Sequence, residues 1–378
     1  MSKTKLFSEL KIRGVSFRNR IILSPMCQYK AKNGFINEWH KQHYARFAFS
    51  GLGGAFIEAT AVTENGRITH GCTGLWQDEQ IDGLKQITEV FKQFGCVSGI
   101  QLAHSGRKGS CLRPWDGATS IKNNNSSENM WVTYAPSPIP VSEDSLIPKE
   151  LSIDEIAKIK EDFCDATHRA NEAGFEMLEI HGAHGYLLHS FFSPLSNQRR
   201  DKYGGNINNL MSFPVEVVKA VRAIWPDEKP LFYRISSTDN IKGGLSINDN
   251  IVLANVLRDC GVDVIDCSSG GIKGSPILAK SRLVPGYQVP FAEEIKKRSG
   301  VKTMAVGAII DAEQAEKIIK TERADLIALG RELLADPQWT YKAALQLNPK
   351  NAYESLPPSY SFYLSRRDKW LDRSAQPR

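Results

Sequence analysis

Short apolar or β-branched runs recur along the chain and alternate with longer amphipathic stretches, such as 153–173, whose apolar residues fall at helical spacing. Eight of the short runs have the length and composition of buried strands. They span residues 21–26, 55–57, 98–102, 177–180, 231–235, 264–267, 303–306 and 326–329. Strand signals that alternate with helix signals in this way predict an α/β fold whose parallel sheet closes as a (β/α)₈, or TIM, barrel.

A doubly wound open sheet is the rival fold, and it usually carries a G-x-G-x-x-G turn after its first strand. Gly51, Gly53 and Gly54 precede the second predicted strand and have a different spacing, so the barrel is favoured. We assign the barrel to residues 1–345, with an insertion at 109–150 after the third strand that is either a lid or a surface excursion. Residues 346–378 form a C-terminal extension that is either loose or docked on a neighbouring subunit.

Composition narrows the functional class. The 378 residues are 41% hydrophobic and 24% charged, which is typical of a globular protein, and the net charge of +6 is spread without a basic stripe for nucleic acid. Seven cysteines without a C-x-x-C pair argue against a disulfide framework, a zinc ribbon and an iron–sulfur cluster. Because no apolar run suits a signal peptide or a membrane span, we expect a cytoplasmic protein with a small-molecule substrate.

The fourth predicted strand is followed by His181-Gly-Ala-His184-Gly-Tyr186. Barrel enzymes place catalytic residues at this end of a strand, and two imidazoles there can donate two hydrogen bonds to one carbonyl or nitro oxygen. A phenol with a pKa of about 10 is an acid at neutral pH, so Tyr186 is the candidate proton donor. The alternatives are buried structural histidines, a metal site that lacks a third ligand, and an aromatic ring packed over the barrel mouth.

Two glycine loops follow the seventh and eighth predicted strands. Gly307 and Ala308 belong to the first loop, and Gly330 and Arg331 to the second. Together they form the usual phosphate site of a TIM barrel, with backbone N–H groups and a bidentate cation facing the anion. Glycines at these positions also occur for steric reasons alone.

Three further side chains at strand ends are candidate cofactor contacts. Arg234 lies inside an apolar strand and therefore needs an anion, either a reduced flavin or a buried carboxylate. Gln101 offers the donor and acceptor that an imide edge requires. Cys27 is either a small core residue or a polarisable neighbour of a redox ring.

At these residues the chain resembles the old yellow enzyme family, and more narrowly its thermophilic-like ene-reductase and xenobiotic-reductase branch. The resemblance covers roughly residues 5–345. It is carried by Arg20-Ile-Ile-Leu-Ser24-Pro25-Met26-Cys27-Gln-Tyr29, Glu58-Ala59-Thr60-Ala61-Val62, Gly66-Arg67-Ile68, Gln101-Leu-Ala-His104-Ser-Gly106-Arg107-Lys108, His181-Gly-Ala-His184-Gly-Tyr186, Ser193-Pro-Leu-Ser-Asn197, Asp201-Lys-Tyr-Gly204-Gly205 and Gly330-Arg331-Glu-Leu-Leu.

The resemblance implies a noncovalent FMN across the barrel mouth and NADPH or NADH as hydride donor. The implied FMN contacts are Ser24, Pro25, Met26, Cys27, Ala59, Gln101, Arg234, Ser269, Gly307, Ala308, Gly330 and Arg331. His181 and His184 would hold the activating group of an electron-poor alkene or nitro compound, Tyr186 would supply the proton, and Tyr29 would shape the pocket. The implied cycle is ping-pong hydride transfer.

Two departures from the family pattern concern the periphery. Relatives place an arginine from near the C-terminus in the adjacent subunit of a homodimer or homotetramer, and Arg366, followed by Arg367, is the best match here although about eleven residues follow. The insertion with Arg113-Pro-Trp115 resembles the xenobiotic reductases. A flavin-free lyase or aldolase with a Schiff-base lysine, and a flavin-binding regulatory protein without turnover, are the alternative functions.

Overall fold

In a computed structural model the chain is described over residues 4–121, 128–274, 284–350, 352–354 and 356–374. An antiparallel hairpin of β1 (Leu10–Ile12) and β2 (Val15–Phe17) precedes the barrel. The barrel strands are β3 (Ile21–Leu23), β4 (Gly54–Ala61), β5 (Val97–Ala103), β8 (Met177–Gly182), β9 (Leu231–Ser236), β10 (Val264–Ser268), β11 (Lys302–Val306) and β12 (Leu326–Leu329). They are parallel and form a closed barrel, with β12 paired to β3. The predicted (β/α)₈ barrel is confirmed.

Helices flank the barrel, and the start of one of them is set by a capping box in the sequence. The helices are α1 (Glu38–Ala48), α2 (Ile81–Gln93), α3 (Ile153–Glu172), α4 (Leu187–Phe192), α5 (Ile207–Ile224), α6 (Ile247–Asp259), α7 (Val289–Ser299), α8 (Ala312–Lys320), α9 (Arg331–Ala335), α10 (Trp339–Leu347) and α11 (Pro358–Ser374). α3 begins where predicted because Ser152 and Glu155 form a capping box. No helix among the described residues is both long and apolar enough to cross a membrane.

The first barrel strand is shorter than the predicted 21–26, because β3 ends at Leu23. Ser24 still donates its N–H to the carbonyl of Leu329 across the barrel seam, at 2.9 Å. Pro25 then has no N–H to continue the ladder, so the chain leaves the sheet. Residues 24–27 consequently lie at the mouth of the barrel and are not part of its wall.

The barrel interior is built in layers, because side chains at i and i+2 of a strand point to the same face. The lower layer is apolar and packs against the β1–β2 hairpin. It contains Ile22, Phe56, Met177, Phe232, Val264, Met304 and Leu326. Two positions further along β8, β9 and β10 stand Glu179, Arg234 and Asp266, and the next positions bring His181 and Ser268 to the mouth.

The insertion after the third barrel strand is tied to the barrel at several points. It contains the small parallel pair β6 (Tyr134–Ala135) and β7 (Lys149–Glu150). Arg199, which is buried, donates to the carbonyls of Pro136 at 3.1 Å and Leu151 at 2.6 Å. The described part of the insertion is therefore held against the mouth of the barrel by buried hydrogen bonds.

Candidate active site

The turn that follows β8 carries the predicted catalytic residues in a constrained backbone. His184 and Gly185 both have positive φ, at 60° and 76°. A Cβ at residue 185 would lie 2.4 Å from the carbonyl oxygen of Gly271, so only glycine fits between these two loops. The close approach of the loops fixes the direction in which His184 and Tyr186 leave the turn.

This turn brings the two histidines and the tyrosine together at the barrel mouth. The ring centroids of His181 and His184 are 5.2 Å apart, and those of His181 and Tyr186 are 4.9 Å apart, both in edge-to-face arrangement. His181 is buried, whereas His184 and Tyr186 are partly exposed. Two groups that can donate a proton or a hydrogen bond, His184 and Tyr186, therefore pack against the ring of a third, His181.

Hydrogen bonds to the far side of each imidazole assign its tautomer. His181 Nδ1 accepts from the backbone N–H of Ala183 at 3.2 Å, which places the imidazole proton on Nε2. His184 Nε2 lies 2.7 Å from Oγ of Ser268. When the Ser268 hydroxyl donates in this pair, His184 carries its proton on Nδ1. Each ring then has one free N–H for a shared acceptor.

The electrostatics of the turn keep all three groups in their proton-donating neutral forms. Burial, followed by the charge of Arg234, holds the pKa of both His181 and His184 well below the ordinary value for histidine. Burial, with a smaller contribution from Cys27, raises the pKa of Tyr186 well above 10. At neutral pH the histidines are therefore uncharged donors, and the Tyr186 phenol holds its proton until a strong base is formed beside it.

We expect Ser268→Ala to lower kcat/KM for an enone by about three- to tenfold, the scale of one hydrogen bond. Without the Ser268 hydroxyl the proton of His184 is free to move to Nε2, where it faces away from the substrate. Steady-state rates at saturating NADPH measure the effect. Ser237→Ala is the matched control, because its buried hydroxyl has no hydrogen-bond partner among the described residues. An equal loss in both variants would contradict the assignment.

Lys108 holds this turn from outside, and the sequence analysis did not give it a role. Its Nζ donates to the carbonyls of His184, Gly271 and Gly274 at 2.8 to 2.9 Å and lies 5.5 Å from the centroid of the Tyr186 ring. Burial lowers the pKa of Lys108 to about 8. One ammonium thus joins the loops after β8 and β10 and stands against the ring of the candidate acid.

A cavity of about 490 Å³ opens beside this group, between the barrel mouth and the insertion. Tyr29 and Tyr186 line it, together with Lys108, Cys111 and Pro114. Tyr29 has a positive φ of 52° and stacks edge-on against Trp115 of the insertion, with ring centroids 5.8 Å apart. The insertion therefore forms one wall of a space large enough for a small organic substrate.

The segment after β3 packs on β4 and on the loop after β12. Cys27 is half-buried and is hydrogen-bonded to Tyr29 and to the backbone of Ala59. Burial raises the pKa of the Cys27 thiol well above its ordinary value, so Cys27 is a neutral thiol. Sδ of Met26 would lie 3.2 Å from a Cβ at residue 330, which shows that Met26 packs directly on Gly330.

The two glycine loops have the backbone that an anion site needs. Gly307 and Ala308 have positive φ, at 111° and 50°. In the described part of the chain, neither of their backbone N–H groups has a hydrogen-bond acceptor. Arg331 is exposed at the adjoining strand end. The hydroxyl of Ser269, in contrast, already donates to Gln288 Oε1 at 2.7 Å.

Arg234 meets a carboxylate, which was the alternative expectation for this residue. Its Nε lies 3.2 Å from Oδ2 of Asp266, and its Nη1 lies 3.4 Å from Oγ of Ser24. Gln101 donates its Nε2–H to Oε1 of Glu179 at 2.8 Å. Both predicted ring contacts are therefore supported from below by buried acids, and they keep further donors for a group at the mouth.

Arg366 is the one predicted site residue that the structure does not place with the others. It lies on the exposed side of α11, with its guanidinium 3.5 Å from the centroid of the Phe362 ring. Arg367 is exposed as well and pairs with Asp368. The role of either arginine in the active site of a neighbouring subunit stays a prediction.

The metal alternative gains no support from the described residues, among which no three His, Cys, Asp or Glu side chains cluster as a metal site would require. The sequence analysis gave no role in the site to four side chains: Lys108, Ser268, Glu179 and Asp266. The two acids had a readable signal, since each is a charged residue inside an apolar strand, the same feature that singled out Arg234.

Comparison with known proteins identifies the family of the chain. The model of the NADH:flavin oxidoreductase / NADH oxidase family matches residues 5–350. An NADPH dehydrogenase of Geobacillus sp. (strain WCH70) is 44% identical over 347 residues, which are 91% of this chain and 95% of that relative. The NADPH dehydrogenase of Bacillus subtilis (strain 168) is 42% identical over 346 residues, with the same coverage of 91% and 95%.

Solved structures give the same result. Morphinone reductase in complex with tetrahydroNAD superposes with a TM-score of 0.75 at 25% identity, covering 90% of this chain and 91% of that chain. The old yellow enzyme homologue from Zymomonas mobilis has the same fold, with a TM-score of 0.73 at 22% identity and 93% of each chain covered. The chain therefore belongs to the NADH:flavin oxidoreductase / NADH oxidase family, is of the old yellow enzyme type, and is an FMN-dependent NAD(P)H oxidoreductase.

Proposed function

We propose that this enzyme is an ene-reductase, which uses NADPH or NADH to reduce alkenes that a carbonyl or nitro group activates. The observation that carries the proposal is the group of His181, His184 and Tyr186, two neutral imidazole donors beside a protonated phenol. Two donors aimed at one oxygen suit an enone or a nitroalkene, because negative charge develops on that oxygen when the β carbon is reduced.

The residues at the mouth fit a noncovalently bound FMN. Gly307 and Ala308 supply unpartnered N–H groups for the phosphate, and Arg331 supplies a cation. Arg234 and Gln101 would supply donors for the pyrimidine edge, and Met26 and Cys27 would hold the ring at the mouth. When bound, FMN supplies hydride transfer between the nicotinamide and the alkene.

The protein's own residues do the acid–base and orienting chemistry. His181 and His184 donate their N–H groups to the activating oxygen of the substrate and thereby place its alkene over the mouth. Charge that moves toward this oxygen is stabilised without a change in the protonation of either ring. Tyr186 then transfers its phenolic proton to the α carbon, and solvent in the adjoining cavity restores that proton.

An absorption spectrum tests the proposal directly. We expect purified protein, supplied with FMN and freed of excess, to be yellow, to lose this colour on anaerobic addition of NADPH, and to regain it when cyclohexenone is added. Acid precipitation should release free FMN into the supernatant, as a noncovalent cofactor requires. A bleached protein that oxygen reoxidises but neither cyclohexenone nor a nitroalkene does would contradict the ene-reductase assignment.

The contacts of Lys108 disfavour the lyase alternative, which requires a Schiff-base lysine. A lysine must lose a proton to attack a carbonyl group, whereas Nζ of Lys108 donates to three backbone carbonyls and, with a pKa of about 8, is mainly an ammonium at neutral pH. Borohydride treatment in the presence of an aldehyde is expected to leave Lys108 unmodified. Lys273 is exposed and lies in the loop after β10, not at a strand end.

A further inference from the structure

Two carboxylic acids in the barrel interior have no part in the reaction described above. Glu179 on β8 and Asp266 on β10 are fully buried, each with 0% exposure. They lie one layer below His181 and Ser268 and one layer above the apolar floor of the barrel. A buried carboxylate is costly unless it is paired, so two of them at one level need an explanation.

The two acids connect the side chains that support the mouth from below. Gln101 donates to Oε1 of Glu179 at 2.8 Å, the carboxyl groups of Glu179 and Asp266 are in contact, and Asp266 Oδ2 lies 3.2 Å from Arg234 Nε. We call these four residues, Gln101, Glu179, Asp266 and Arg234, the polar layer. Within the polar layer, Glu179 and Asp266 connect Gln101 to Arg234, the two side chains proposed to meet the pyrimidine edge of FMN.

The charge of the polar layer fixes its protonation. Arg234 is its one cation, so two ionised acids would leave a net negative charge in a buried layer. Oδ2 of Asp266 faces Nε of Arg234 in an ion pair, whereas Oε2 of Glu179 and Oδ1 of Asp266 find no donor among the described residues. Two ionised carboxylates cannot bond to each other. A single proton held between the acids removes the surplus charge and turns their contact into a hydrogen bond.

The surroundings assign this proton to Glu179. Burial, and then the charge of Asp266, raise the pKa of Glu179 well above its ordinary range. Burial also raises the pKa of Asp266, but Arg234 lies directly against that carboxylate and keeps it ionised. The neighbouring titratable groups toward the mouth are His181 and His184, which are neutral for the reasons given above.

We propose that Glu179 and Asp266 share one proton and so hold the polar layer neutral, which sets the reduction potential of the bound flavin. The proposal rests on the proposed function, because it places FMN above Gln101 and Arg234. Reduced FMN carries negative charge on its pyrimidine side, so any uncompensated cation below that edge favours the reduced form. The ionised carboxylate of the pair offsets the charge of Arg234 and limits this preference.

A double-mutant cycle separates a shared proton from two independent charges. Glu179→Gln and Asp266→Asn each remove one acid and leave the other to balance Arg234 as a carboxylate. Each single variant should therefore change the ratio of dissociation constants of oxidised and reduced FMN by less than about threefold. The double variant leaves Arg234 uncompensated and should favour reduced FMN by at least about tenfold, or about 30 mV for a two-electron couple. The test is the midpoint potential of bound FMN, measured in wild type, in both single variants and in the double variant.

Additive shifts in the two single variants would show that both acids are ionised and would overturn the proposal. A double variant with the wild-type potential would overturn it as well. An infrared measurement on the wild-type apoprotein at pH 8 covers the case in which the double variant fails to fold. The wild-type spectrum should contain the C=O band of a protonated carboxylic acid, and the spectrum of either single variant should lack it. A wild-type spectrum without this band would contradict a shared proton. Failure of wild type to bind FMN would instead refute the proposed function.

Discussion

Tyr186→Phe is expected to slow alkene turnover by about 10²-fold or more, which is the usual contribution of a general acid. The variant should still take up FMN and let NADPH reduce it at nearly the wild-type rate, because that half of the cycle needs no proton from the protein. The raised pKa of Tyr186 makes the phenol a reluctant acid, so it donates only to a strong base such as a carbanion next to a carbonyl group. Stopped-flow measurement of the two half-reactions separates these effects.

Tyr29→Phe is the matched control for this experiment. Tyr29 lines the same cavity as Tyr186, but its phenol is hydrogen-bonded to Cys27 and lies on the side of the segment after β3. We expect Tyr29→Phe to change KM for the alkene more than the rate of its reduction. A slow alkene step in Tyr29→Phe together with a normal one in Tyr186→Phe would show that the acid is Tyr29 and that the assignment to Tyr186 is wrong.

The fold was predictable because its signals are local. Each of the eight predicted runs corresponds to one strand of the closed barrel, and seven of them lie entirely within that strand. The one clear error is the end of the first strand, which was extended to Met26. Apolar composition favoured that extension, although Pro25 lacks the N–H that a further ladder bond requires.

The candidate site was predictable to the extent that its residues are contiguous. His181, His184 and Tyr186 lie on one turn, so their meeting followed from the position of that turn at a strand end. The roles of Lys108 and Ser268 depend on contacts between separate loops, such as the three carbonyls that surround Nζ of Lys108. Nothing in the local sequence indicates which carbonyls those are.

Arg234 shows the limit of reasoning from a single buried charge. The sequence required an anion for it and allowed either a cofactor or a carboxylate. The structure supplies the carboxylate of Asp266 at Nε, while Nη1 donates to Oγ of Ser24 at the mouth. The two interpretations are compatible, because one guanidinium has enough donors for an acid below it and a ring edge above it.

Lys108→Met is expected to lower kcat for alkene reduction by on the order of 10²-fold, because a displacement of about 1 Å in a catalytic group has this effect. The contact with Lys108 supports the backbone of His184, which has a positive φ. Loss of the ammonium leaves the carbonyl of His184 without this donor and removes the cation beside the Tyr186 ring. The same group should give the wild-type enzyme a decline in kcat with an apparent pKa of about 8. His181 and His184 have lowered pKa values, and Cys27 and Tyr186 have raised ones, so these groups change charge away from that range.

The pH profile makes this prediction specific to Lys108 and not to a general loss of structure. Above the pKa of Lys108 the ammonium becomes a neutral amine, which keeps fewer of its three hydrogen bonds and no longer attracts the face of the Tyr186 ring. Lys108→Met should therefore be slow at every pH and lack the decline, while Lys108→Arg, which stays charged, should recover part of the rate and also lack the decline. Lys273→Met, in an exposed lysine of the loop after β10, should keep the wild-type profile. If the decline persists in Lys108→Met, another group controls it, and the ammonium then serves the site only by holding its two loops together.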